Sequence, residues 1–164
     1  MLDAQINEIR QWVTLGVSLC LALLLMLLPL PIWLAAFRPA WVLMVLIFWA
    51  LVLPGRISIT LAWVMGILVD VLNGTLLGEH ALALTAVIYL VSRFSNQMRM
   101  FSLFQQGMAV LCLVLGYLFI LFCIQGFLGV LLEGWFYWLP ALTSMVLWPW
   151  VFVILRDRYR RFEN

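Results

Sequence analysis

Apolar residues fill this chain in long blocks, and short clusters of proline, glycine and polar side chains separate them. The first block runs from Trp12 to about Leu30 and stops at Pro29-Leu30-Pro31. Proline cannot continue a hydrogen-bonded helix and restricts the residue before it. A second block follows Phe37-Arg38-Pro39, with Pro39 at a favourable first-turn position, and ends before Pro54-Gly55-Arg56. Further breaks fall at Asn73-Gly74, at the polar stretch Ser92 to Arg99, and at Glu133-Gly134. The pattern predicts six helices over approximately 12–30, 39–53, 57–72, 78–91, 106–132 and 139–155. A membrane span needs about 20 apolar residues, with about 17 as the lower end. Blocks two to four fall short of that, which implies short or tilted helices, or one re-entrant pair covered by protein. Five spans is the alternative count.

Composition settles the solvent. Of 164 residues, 67% are hydrophobic and only 10% charged. No soluble fold of this length could hide that much apolar surface from water. The chain therefore reads as an all-α integral membrane protein, a single polytopic domain over residues 1–164. The opening block is longer than a signal-peptide core of about 7–15 residues, so an uncleaved first span is expected. A net charge of +2 gives no argument for nucleic acid. Cys20, Cys112 and Cys123 all lie inside apolar blocks, and are expected as small buried apolar side chains rather than disulfides.

All nine basic residues are arginine. With six helices and a cytoplasmic N-terminus, eight of them (Arg10, Arg56, Arg93, Arg99, Arg156, Arg158, Arg160, Arg161) share the inner side and only Arg38 lies outside. The positive-inside rule favours that orientation and the even count. The basic tail of Arg156, Arg158, Arg160 and Arg161 is either a topology signal or a contact for anionic lipid or a cytoplasmic partner. Trp12, Trp33, Trp41, Trp135, Trp138, Trp148 and Trp150 sit near predicted helix ends, as interfacial aromatic anchors do.

One register is less ordinary. Gly66, Asp70, Gly74 and Gly78 recur every four residues, which on a helix makes a single small-residue face with an acid in it. Asp70 is the only acid well inside an apolar block, and such a residue normally faces a partner within the bundle. A structural ion pair or cap is the preferred reading over a proton or substrate site. Measured from the turn at Gly55, Arg38 and Asp70 differ in height by roughly 3 Å, so a pair between them is expected. Glu79-His80 reads as a wet loop, and Glu133 as another loop residue. No nucleophile–base set, phosphate loop or dinucleotide fingerprint is present, and no catalytic residue, metal or cofactor is assigned.

Phe37-Arg38-Pro39-Ala40-Trp41 resembles the F-R-P-x-W opening of the second helix in the rod shape-determining protein MreD family of proteobacteria. Leu53-Pro54-Gly55-Arg56, Val64-Met65-Gly66 through Asp70 to Leu77-Gly78, and Leu147-Trp148-Pro149-Trp150 before the arginine-rich tail are similar to later parts of it. The resemblance implies a non-enzymatic inner-membrane scaffold of the cell-elongation machinery that supports lateral peptidoglycan synthesis. It implies as partners an MreC-type bitopic protein, an MreB-type actin homologue and an elongation glycosyltransferase–transpeptidase pair. It implies a fold similar to the six-helix substrate-binding subunits of energy-coupling-factor transporters, and packing or partner contacts for Arg38, Pro39, Trp41, Gly66, Asp70, Gly74 and Gly78. The alternative is a small-molecule-binding transporter subunit, with a polar cavity lined by Asp70, Asn73, Thr75 and Gln125. An intramembrane enzyme resting on Asp70 and Glu79-His80 is the third reading.

Overall fold

The computed structural model describes residues 2–29, 31, 37–53, 59–129 and 134–160. The expected turn at Pro54-Gly55-Arg56, Trp33, Glu133, Arg161 and the side chain of Arg160 lie outside the described residues. Six α-helices form, with no strand among the described residues: α1 (Leu2–Leu27), α2 (Trp41–Val52), α3 (Ile59–Asn73), α4 (Glu79–Met100), α5 (Leu103–Phe127) and α6 (Leu139–Arg160). A 3-10 turn, Trp135–Trp138, leads into α6. Ile9–Leu27, α5 and Trp135–Tyr159 are each long and apolar enough to cross a membrane, while α2 and α3 are shorter apolar helices.

Burial explains which helix goes where. In α2 every residue from Val42 to Leu51 is buried. Its sequence carries no polar face, and a helix that is apolar all round belongs inside. It packs on α1, α4 and α6. The Trp49 indole donates to Ser18 Oγ at 2.9 Å, and the Phe48 ring meets Phe152 edge-on at 5.6 Å. In α1 the buried positions are Leu15, Leu19 and Ala22, while Val13, Val17, Leu21 and Leu24 face outward. That inversion of the soluble pattern, with apolar residues outside as well as in, is what a lipid solvent permits.

In α3 the buried residues Ala62, Met65, Gly66, Val69 and Asp70 make one stripe, and the stripe faces α4. A Cβ placed on Gly66 would lie 2.2 Å from Ala81 Cα. Backbone thus meets backbone there, and only glycine fits.

Several boundaries differ from those the pattern predicts. The stretch Ser92 to Arg99 is helical and completes α4. Polar side chains end an apolar block without ending a helix, because the last turns simply leave the hydrocarbon. The true break is at Phe101-Ser102. Ser102 Oγ accepts from Gln105 N while Gln105 Oε1 accepts from Ser102 N, a reciprocal cap that starts α5 three residues before the expected Gln106. The three cysteines are exposed on the outer surface of the helices, not buried. Trp148 is fully buried, whereas Trp12, Trp135 and Trp150 are exposed, so Trp148 is a core residue and not an interfacial anchor.

Contacts at the helix ends establish an alternating arrangement. Arg99 Nε donates to the carbonyl of Leu51, which joins the end of α4 to the end of α2. Gln11 Nε2 reaches Tyr159 Oη at 3.5 Å, which joins the start of α1 to the end of α6. One end of the bundle therefore carries Arg10, Arg93, Arg99, Arg156 and Arg158. Arg38 belongs to the other end, with the α3–α4 connection and the start of α6.

Candidate functional site: a buried polar cluster beside a cationic cavity

The α3–α4 connection is only five residues, Gly74 to Gly78, and its geometry depends on two glycines. Gly74 and Gly78 have φ of 65° and 106°, in the left-handed region that side chains rarely adopt. They are therefore turn residues and do not continue the helical face of Gly66 and Asp70; the four-residue register is shared by two different structures. The reversal returns α4 along α3 and brings its first turn over Asp70.

Asp70 is completely buried. Its Oδ2 accepts from Gly78 N at 2.8 Å, and its Oδ1 accepts from His80 N at 2.8 Å and from Thr75 Oγ1 at 3.1 Å. Oδ1 also lies 2.8 Å from His80 Nδ1. The first backbone N–H groups of a helix have no partner within it, and the helix dipole favours negative charge there. Asp70 thus caps α4 from the neighbouring helix, and its bond to His80 fixes the orientation of the imidazole. Next to it, Glu79 is buried and accepts from Gln125 Nε2 of α5.

Two expectations are corrected here. Asp70 pairs with His80 and not with Arg38. The Arg38 guanidinium instead donates through Nη1 and Nη2 to the carbonyls of Met26 and Leu28, at the C-terminal end of α1. Equal height along two helices says nothing about their rotation, and α3 turns its Asp70 stripe toward α4. Glu79-His80 is not a wet loop: both residues are in the first turn of α4, 4% and 9% exposed.

Arg38 and His80 do share a surroundings. Both line a cavity of about 260 Å³, together with Met26, Pro39, Trp41, Val69, Tyr117, Leu121 and Pro140. All six helices and the segment before α2 converge there at one end of the bundle. Tyr117 is 9% exposed and its ring centroid lies 6.2 Å from that of His80. Of the expected polar lining, Asp70, Asn73, Thr75 and Gln125, none reaches the cavity wall. Tyr117 carried no sequence signal, being one hydroxyl in an apolar block. At the opposite end Arg156 stacks over Phe152 at 5.8 Å from the ring centroid, and Arg158 lines a second, largely apolar cavity between α1 and α6.

Helical architecture, an apolar outer surface and polar side chains gathered inside the bundle define an integral membrane protein with chemistry gathered at one end. The family model described as rod shape-determining protein MreD matches residues 7–158. The chain is 32% identical to the rod shape-determining protein MreD of Haemophilus influenzae over 159 residues, covering 97% of this chain and 98% of that one. The chain belongs to the MreD family. No solved structure matches it, and the expected likeness to energy-coupling-factor subunits stays an expectation.

Proposed function

We propose that this chain is a non-enzymatic scaffold of the machinery that elongates rod-shaped bacteria, seated in the inner membrane with both termini in the cytoplasm. The observation that carries the reading is the family match over residues 7–158. The arrangement of the described arginines agrees with the orientation: five lie at the end that holds both termini, one at the other, and the positive-inside rule puts the richer end in the cytoplasm. The partners implied are an MreC-type bitopic protein, an MreB-type actin homologue and the glycosyltransferase–transpeptidase pair of lateral wall synthesis. Most of the described residues are helical, so partners are met on helix faces and short ends. The Gly66 to Asp70 stripe is occupied by α4, which leaves the outward faces of α1, α3 and α5 for such contacts.

Depletion in a rod-shaped host tests this directly. Cells that lose the native family member become spheres, and expression of this chain restores rods together with co-purification of the bitopic partner. Spheres that persist despite full-length protein in the membrane would overturn the reading.

A further inference from the structure

The cavity at the Arg38 end has a charge imbalance that the bundle itself does not resolve. Both terminal nitrogens of Arg38 are bound to carbonyl oxygens, which are neutral acceptors and leave the positive charge in place. Arg38 Nε is buried and has no acceptor among the described residues. Two described acids at this end of the bundle are committed elsewhere: Asp70 to Gly78, Thr75 and His80, and Glu79 to Gln125. Neither lines the cavity, and no carboxylate does among the described residues. His80 is held through Nδ1 and lines the cavity, and among the described residues the opposite edge of its ring has no hydrogen-bond partner. The rest of the wall is apolar or aromatic, including Trp41, Leu118 and Leu121.

We propose that this cavity binds an amphipathic anion, an oxyanion head on a hydrocarbon body. The head takes Arg38, with His80 and Tyr117 beside it, and the body lies against Trp41, Leu118 and Leu121. At about 260 Å³ the space is near the roughly 300 Å³ at the small end of ligand pockets, enough for a head and its first methylenes but not for a whole lipid. A guanidinium in such surroundings is screened far less than in water, which favours an anion over the neutral contacts alone. Arg38 also caps α1, and that structural role is retained when the ligand binds. The same chemistry is offered by a membrane lipid phosphate and by free phosphate from the aqueous side, and the hydrocarbon wall favours the former.

Native mass spectrometry of the full chain, released from an uncharged detergent, distinguishes these sources. The probes are dodecyl phosphate, inorganic phosphate and dodecyltrimethylammonium. Dodecyl phosphate is expected to give one saturable adduct, with no such adduct for the cation and none for inorganic phosphate at equal concentration. Arg38→Gln should reduce occupancy about tenfold or more, the size of a lost charge-assisted hydrogen bond. Arg156→Gln, at the other end, should leave it unchanged. Because Arg38→Gln also removes the α1 cap, Arg38→Lys and Tyr117→Phe are measured beside it, each with its unfolding midpoint. Lysine keeps the charge and can reach one of the two carbonyls, phenylalanine keeps the ring, and each should weaken binding about threefold or more, since the guanidinium fork and the phenol are lost separately. Occupancy that is the same in Arg38→Lys and Tyr117→Phe as in the parent would overturn the proposal. So would equal adducts with inorganic phosphate, or an equal loss in Arg156→Gln.

Discussion

At the scale of the residue, Asp70 decides the most. It accepts from four donors, two of them backbone N–H groups at the start of α4. Asp70→Ala leaves the Gly78 and His80 backbone N–H groups without their acceptor, while Thr75 Oγ1 keeps the Asp70 carbonyl at 3.5 Å and His80 Nδ1 at 3.4 Å; His80→Ala removes only one side-chain donor. The expected order of destabilisation is therefore Asp70→Ala above His80→Ala. Two buried backbone N–H groups left without an acceptor cost about 1–3 kcal/mol each for the first, and a single hydrogen bond about 1 kcal/mol for the second. Unfolding midpoints of the purified protein in detergent check the order, and an inverted order would show that the imidazole, not the cap, holds the hairpin. Asp70 was legible as an unusual residue, because an acid in an apolar block is conspicuous. Its partner was not. Sequence spacing supplies height along a helix axis, and the azimuth that separates His80 from Arg38 arises only from how α3 packs on α4.

At the scale of the element, the α3–α4 hairpin shows why equal spacing does not mean equal role. Gly66 is required by contact and Gly74 by backbone conformation. Gly66→Ala forces its methyl into the Ala81 backbone, which cannot yield as a side-chain tip does, and is expected to cost about 1–3 kcal/mol. Gly74→Ala meets no neighbour and carries only the strain of a left-handed alanine, about 1 kcal/mol. The two are separable by a compensating change. Ala81→Gly removes only the Cβ that lies 3.0 Å from the new methyl and leaves the closer Ala81 Cα and N in place, so it should recover a small part of the Gly66→Ala loss, and none of the Gly74→Ala loss. Equal recovery in both, read as thermal midpoint, would contradict the contact. Helix existence was legible throughout, since apolar blocks and proline breaks mark it. Helix ends were less so: Arg93 and Arg99 leave the hydrocarbon while α4 continues, and the Ser102 cap starts α5 inside what reads as a polar loop.

At the scale of the molecule, the alternation of helices and the distribution of arginines combine into one testable geometry. Leu76, in the α3–α4 connection, and Gln97, near the end of α4, lie on the same helical hairpin at opposite ends of the bundle, and both are exposed. The native cysteines Cys20, Cys112 and Cys123 face outward from the helices, so replacing them with alanine removes little packing. In that background Leu76→Cys should react with a membrane-impermeant thiol reagent in cells whose outer membrane alone has been permeabilised. Gln97→Cys should react only after the inner membrane is opened. The length of α4 supports this: its 22 residues rise about 33 Å, a full hydrocarbon thickness, even though its last two turns are polar. Labelling of both positions from the same side would make α3 and α4 a re-entrant pair, and the cavity at the Arg38 end would then not open outward. Labelling from opposite sides places Arg38, His80 and Tyr117 toward the outer boundary and leaves the five described arginines of the other end to the cytoplasm.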